Sequence, residues 1–158
     1  MEYVAFTDGS YKEKNGIKLY GSAAIFAPIG TTDWTVLKSV GNDPQYIKHR
    51  NVAGEVIAVI QLCNHLLTEK DNNGEPYKVD RLVLNYDYTG IEKWPTYGWK
   101  NANTELSRTY RDYVTRIAIP QLHIEFKHTR GHSGIIGNEI VDQIVHSMVN
   151  QKIEELTK

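Results

Sequence analysis

A chain of 158 residues is long enough for one domain with a substantial buried core. Its apolar share of 41%, with ten tyrosines and three tryptophans, fits a soluble globular protein, and no stretch approaches the roughly 18 apolar residues of a membrane helix. The start MEYVAFTD lacks the basic region, apolar block and cleavage site of a signal peptide, and the single cysteine, Cys63, excludes an internal disulfide. Both point to a cytoplasmic protein. The net charge of −1 excludes a globally basic nucleic-acid binder, yet Lys93 to Arg130 hold seven Lys or Arg against three Asp or Glu. Such a strip could face phosphates or simply be a solvated surface.

Tyr3 to Thr7 reads as a strand, β-branched and aromatic, closed by Asp8-Gly9. Leu19 to Ala27 and Trp34 to Val40 read as two more strands, joined by short spacers that predict antiparallel hairpins. From Val52 the period becomes helical, with Val56, Val59, Ile60, Cys63 and Leu67 on one face, until DNNGEP ends the helix. Val79 to Tyr86 is a fourth strand, followed at once by Asp87. A short helical stretch broken by Pro95 comes next, then a turn at Gly98 and a helix from Asn103 to about Ile117 stopped by Pro120. Gln121 to His128 alternates as a fifth strand, Thr129 to Asn138 is a glycine-rich loop, and a final helix covers Glu139 to Leu156. The order predicts a mixed α/β fold in a single domain.

Four carboxylates stand where structure does not ask for them. Asp8 and Asp87 end strands, Glu55 interrupts the apolar face of the first helix, and Asp142 lies between Val141 and Ile144 in the last. Singly, each is explained as a turn or helix-cap residue. Together they converge if the helix after strand three crosses over right-handedly, so that strands one and four are neighbours. Converging carboxylates repel unless cations neutralise them, and an all-oxygen donor set suits Mg²⁺ or Mn²⁺. His132, on the glycine-rich loop ten residues before Asp142, could swing over such a site or be an ordinary surface histidine.

FTDGS, NVAGE, YDYTG and GHSG…GNEIVDQIV, in that order and spacing, resemble ribonuclease H of type 1 from Tyr3 to about Val149. The resemblance implies a five-stranded mixed sheet of order 3-2-1-4-5 flanked by helices, and hydrolysis of the RNA strand of RNA–DNA hybrids. It maps the metal-binding tetrad onto Asp8, Glu55, Asp87 and Asp142 and the loop histidine onto His132. By the same resemblance two Mg²⁺ ions about 4 Å apart would act on the phosphodiester, leaving 5′-phosphate and 3′-hydroxyl ends. Asp8 would bridge the ions, His132 would assist proton transfer or product departure, and Glu55 would also meet the 2′-hydroxyl. Gly9, Ser10 and Asn51 would contact the minor groove.

The sequence departs from the family pattern in three places. Arg50 stands where many relatives carry a threonine that holds a DNA-strand phosphate, and Tyr88 follows the third carboxylate where a serine is common. The link from Trp94 to Asn103 is short where some relatives have a basic protrusion, so substrate binding would lean on Trp99 and Lys100. No hybrid-binding domain precedes the catalytic one in these residues, which implies modest, salt-sensitive affinity. A monomer is expected. The competing readings are a DNA-directed nuclease of the same fold, such as a resolvase or integrase, a non-catalytic hybrid-binding module, and a structural domain whose acids are turn and cap residues.

Overall fold

Asn15 and Gly16 both take positive φ, 53° and 79°, and make the two-residue turn whose twist matches that of flanking strands. They join β1 (Glu2–Lys14) to β2 (Ile17–Pro28) in an antiparallel hairpin. In this computed structural model, residues 1–97, 104–130 and 135–158 are described, with only the backbone at 96 and 97. Trp99, Lys100 and His132 lie outside the described residues. β3 (Thr35–Gly41) pairs antiparallel with β2, whereas β4 (Arg81–Tyr86) runs parallel to β1 and β5 (Ile124–His128) parallel to β4. The sheet order is β3-β2-β1-β4-β5, as the family resemblance implies.

The Asp8-Gly9 pair does not end the first strand. β1 continues six residues past Asp8, which pairs with Ala23 in mid-hairpin, so the pair is not a turn. What ends near Asp8 is the parallel pairing with β4, whose last register partner in β1 is Phe6. Beyond Phe6, β1 has a paired neighbour on one side and an open edge on the other.

Helices cover both faces. α1 (Pro44–Ile47), a short turn not anticipated from sequence, precedes α2 (Asn51–Thr68). α2 packs on the face bearing Tyr3 and Ala5, together with α3 (Gly90–Tyr97), α4 (Glu105–Tyr113) and α5 (Ile119–Leu122). The last helix, α6 (Ile136–Thr157), packs through Val141 and Val145 against Phe6, Ala23 and Ile25 on the opposite face. It starts three residues before the expected Glu139, and its first turn lies against the Phe6 ring, where a Cβ on Gly137 would come within 2.2 Å.

Both prolines expected to break helices are accommodated. Pro95 sits inside α3, and the carbonyl of Ile91 that its missing N–H would have bonded accepts from the buried Tyr110 hydroxyl at 2.5 Å. Pro120 lies at the start of α5, where a π-helical turn over Val114–Ala118 widens the preceding coil. His123, at φ 52°, then ends the helix by donating its N–H to the Ile119 carbonyl.

The approach of α2 to the sheet is set by glycine on both sides. A Cβ on Gly54 would lie 2.0 Å from the Gly21 carbonyl oxygen, and one on Gly9 would lie 2.2 Å from the Glu55 nitrogen. On the other face a Cβ on Gly21 would lie 2.2 Å from Val149, so that one residue is pressed by helices from both sides. In an exposed helix, Gly→Ala stabilises by about 1 kcal/mol. Gly54→Ala is expected to do the reverse, by about 3 kcal/mol from overpacking against backbone, read as a lowered midpoint in thermal unfolding. An unchanged or raised midpoint would show that the contact is dispensable.

Candidate metal centre

Side chains of a strand alternate between faces, so Asp8 and Ser10 share the α6 side with Phe6. Glu55 belongs to α2, which packs on the other side. They meet because β4 has stopped pairing by then, and the open edge of β1 lets a carboxylate from one layer reach one from the other. Asp87, immediately after β4, arrives along that same edge. Its backbone is held from β5: His128 Nε2 lies 2.6 Å from the Asp87 carbonyl oxygen, and the Thr129 N–H donates to the Tyr86 carbonyl at 2.7 Å. Asp142 comes from the second turn of α6. All four expected carboxylates line one cleft of about 470 Å³.

The electrostatics follow from burial. Glu55 is 3% exposed, and its Oε2 is buried without a hydrogen-bond partner. Burial pushes its carboxyl well above the usual range, and the neighbouring Asp8 and Asp87 charges push it further. Asp8, 8% exposed, is raised to about 6, chiefly by burial and then by Asp142, against the lowering effect of hydrogen bonds from Glu55 and the Gly9 N–H. That N–H donates to Asp8 Oδ1 at 2.9 Å. An orphaned buried oxygen among carboxylates that resist ionisation is what a hard divalent cation would relieve, and the oxygen donors suit one. The donor set fits the metal.

The expected contact residues divide. Gly9, Ser10, Arg50 and Asn51 line the same cleft. The smallness of Gly9, however, serves the helix: α2 backbone occupies the space its side chain would need. Arg50 is the residue before α2, at φ 55° and ψ −130°, a region that side chains rarely adopt. Its guanidinium lies 5.9 Å from the centre of the Tyr11 ring.

Three cleft residues escaped the sequence reading. Tyr11 follows the FTDGS motif, and Asn138 sits in the GNE triplet, buried and donating from Nδ2 to the Arg130 carbonyl at 3.3 Å. His146 stands one helical turn after Asp142, with Nε2 3.1 Å from Asp142 Oδ1 and Nδ1 3.0 Å from Ser10 Oγ. Its i+4 spacing from a proposed ligand was the available signal. Asp8, Asp142 and His146 each offer a ligand atom, and these lie within 4.8 Å of one another.

Residues 1–150 match the RNase H family. Human ribonuclease H1 is 25% identical over 105 residues, a match spanning 66% of this chain and 37% of the human protein. Two solved structures share the fold at low identity. RNase H1 from the halophilic archaeon Halobacterium salinarum NRC-1 has a TM-score of 0.60 at 13% identity, covering 96% of this chain and 99% of that one. LC11-RNase H1, solved in complex with an RNA/DNA hybrid, has a TM-score of 0.64 at 13% identity, covering 94% and 99%. With the sheet order and a match over nearly its whole length, the chain belongs to the RNase H family, among relatives of type 1.

Proposed function

We propose that this protein is a divalent-cation-dependent endonuclease that hydrolyses the RNA strand of RNA–DNA hybrids. One observation carries the reading: a buried Glu55 oxygen without a partner, in a cleft it shares with Asp8, Asp87 and Asp142. Family membership and the hybrid-bound relative support the substrate class. The four carboxylates would hold two cations, Mg²⁺ with Mn²⁺ as a substitute. When bound, these would supply a nucleophile from water and stabilise the leaving 3′ oxygen, giving 5′-phosphate and 3′-hydroxyl ends.

The chain's own residues do the positioning. Asp8, fixed in mid-strand and held by the Gly9 N–H, is suited to be the shared ligand. Glu55, held against the sheet by the glycine contact, faces the cleft from the opposite layer and would meet the 2′-hydroxyl beside the scissile phosphate. Asn51 and Arg50 at the start of α2, with Gly9 and Ser10, form the wall along which the hybrid backbone would lie. Arg50 would place a charge against a DNA-strand phosphate, its strained backbone aiming the guanidinium across Tyr11. Trp99 and Lys100 would extend that contact, and His132 would assist proton transfer or product departure. We take the chain to act as a monomeric single domain in the cytoplasm; among the described residues no helix is long and apolar enough to cross a membrane.

Asp8→Asn and Asp87→Asn should each abolish cleavage of a labelled hybrid in Mg²⁺ while keeping the native circular dichroism spectrum. Substantial turnover by either variant would overturn the assignment, and cleavage of duplex DNA by the parent chain would favour a DNA-directed nuclease. Arg50→Gly should keep or raise stability, because glycine tolerates the positive φ, while weakening hybrid binding and reducing its salt slope by about one. Unchanged affinity in a filter-binding titration would remove Arg50 from the interface.

The raised carboxyl groups also predict a pH dependence. A carboxyl whose folded-state value lies above its unfolded value costs no stability where both states are protonated. The cost grows as pH rises from about 4 to 6 and is complete above that. With a chelator present, Asp8→Asn should therefore be about 3 kcal/mol more stable than the parent at pH 7.5, an advantage that shrinks towards pH 4. Denaturant unfolding at both pH values measures it, and a pH-independent difference would refute the electrostatic cause.

A further inference from the structure

The imidazole of His146 is placed by contacts at both nitrogens. Nδ1 lies 3.0 Å from Ser10 Oγ and Nε2 3.1 Å from Asp142 Oδ1. With the proton on Nε2 the second contact is an ordinary hydrogen bond. With the proton on Nδ1, donated to Ser10 Oγ, Nε2 turns a lone pair to the carboxylate, and a cation can take the place of the bridging proton. Two ligand atoms each about 2.1 Å from one ion stand about 3.0 Å apart at the edge of an octahedron and about 3.4 Å apart in a tetrahedron. The 3.1 Å hydrogen-bond distance also matches the separation of two ligands sharing an ion, so a cation can replace the proton between them with no movement of the helix. Asp8 supplies a third donor, since one ligand atom from each of the three residues lies within 4.8 Å of the others. A metal-bound histidine is oriented by the acceptor of its other ring N–H, and the Ser10 hydroxyl is placed to serve as that acceptor.

The donor chemistry then changes. Carboxylates alone suit Mg²⁺, whereas imidazole favours borderline transition cations, whose affinity for nitrogen sites rises towards Zn²⁺. We propose that His146 Nε2 joins Asp8 and Asp142 as a third ligand, making one cation position in the cleft selective for Zn²⁺ over Mg²⁺. The inference rests on the reading of Asp8 and Asp142 as cation ligands, and adds that this chain binds a cation its carboxylates alone would not prefer. Two strands of support are independent of each other: the spacing of the ligand atoms, and the Ser10 bond that turns Nε2 towards the cleft.

Calorimetric titration of the full chain with Zn²⁺ and, separately, with Mg²⁺ tests it. His146 is exposed, so His146→Ala should fold normally. The variant should lose at least tenfold in affinity at the tight Zn²⁺ site and less than threefold for Mg²⁺. Histidine ¹⁵N spectra of the parent chain should show the His146 Nε2 resonance moving on Zn²⁺ addition. Equal losses for both cations would mean that His146 only holds Asp142 in place, and an unchanged Zn²⁺ affinity would remove His146 from the site; either overturns the proposal. Asp142→Asn, titrated in parallel, separates the two levels. If it abolishes Mg²⁺ binding while His146→Ala leaves Zn²⁺ binding intact, only the present inference fails. If it leaves Mg²⁺ binding intact, the carboxylate site itself fails with it.

Discussion

The contact between the Gly54 turn of α2 and the backbone of Gly9 and Gly21 is the constraint on which the rest of the site depends. It leaves no room for a β-carbon on either side, so the helix axis is held as close to the sheet as backbone can come. Glu55 follows Gly54 directly, and its carboxylate is thereby carried down to the level of Asp8. The glycine at position 9 therefore does for the carboxylate cluster what the adjoining aspartate cannot: it makes space for the helix that brings the second acid.

A second constraint is topological. Because β4 stops pairing at the level of Phe6, the first strand is covered by sheet on one side only just where Asp8 occurs. Acids from both layers and from the loop after β4 can then share one cleft, as they could not across an unbroken sheet. The consequence is electrostatic: Glu55 and Asp8 both bind protons more readily than exposed carboxyls do, and the folded chain carries a strain that a cation would remove. Stability is given up at this point, while the apolar core around Tyr110, Leu62 and Leu84 holds the layers together.

The sequence made the element order, the sheet order and the four acids legible because each rests on local pattern and on four motifs in register. Among the features that were not legible, three have a clear physical reason. Asp8-Gly9 looks like a turn, but its glycine is demanded by a helix some 45 residues further on, a contact that no local window contains. Pro95 and Pro120 look like breakers, but a tyrosine hydroxyl bonds the carbonyl facing Pro95, and Pro120 falls at the start of a short helix of its own after a π turn. His146 was silent because an exposed histidine on an amphipathic helix is ordinary until Ser10 and Asp142 are seen on either side of it.

The proposed role of the carboxylate cluster, cation-dependent hydrolysis of the RNA strand of a hybrid, is tested most directly by incubating the parent chain with a hybrid labelled separately on each strand, with Mg²⁺ and with a chelator. Cleavage confined to the RNA strand and dependent on Mg²⁺ is the predicted result. An intact RNA strand in Mg²⁺, or cutting that persists in the chelator, would contradict it.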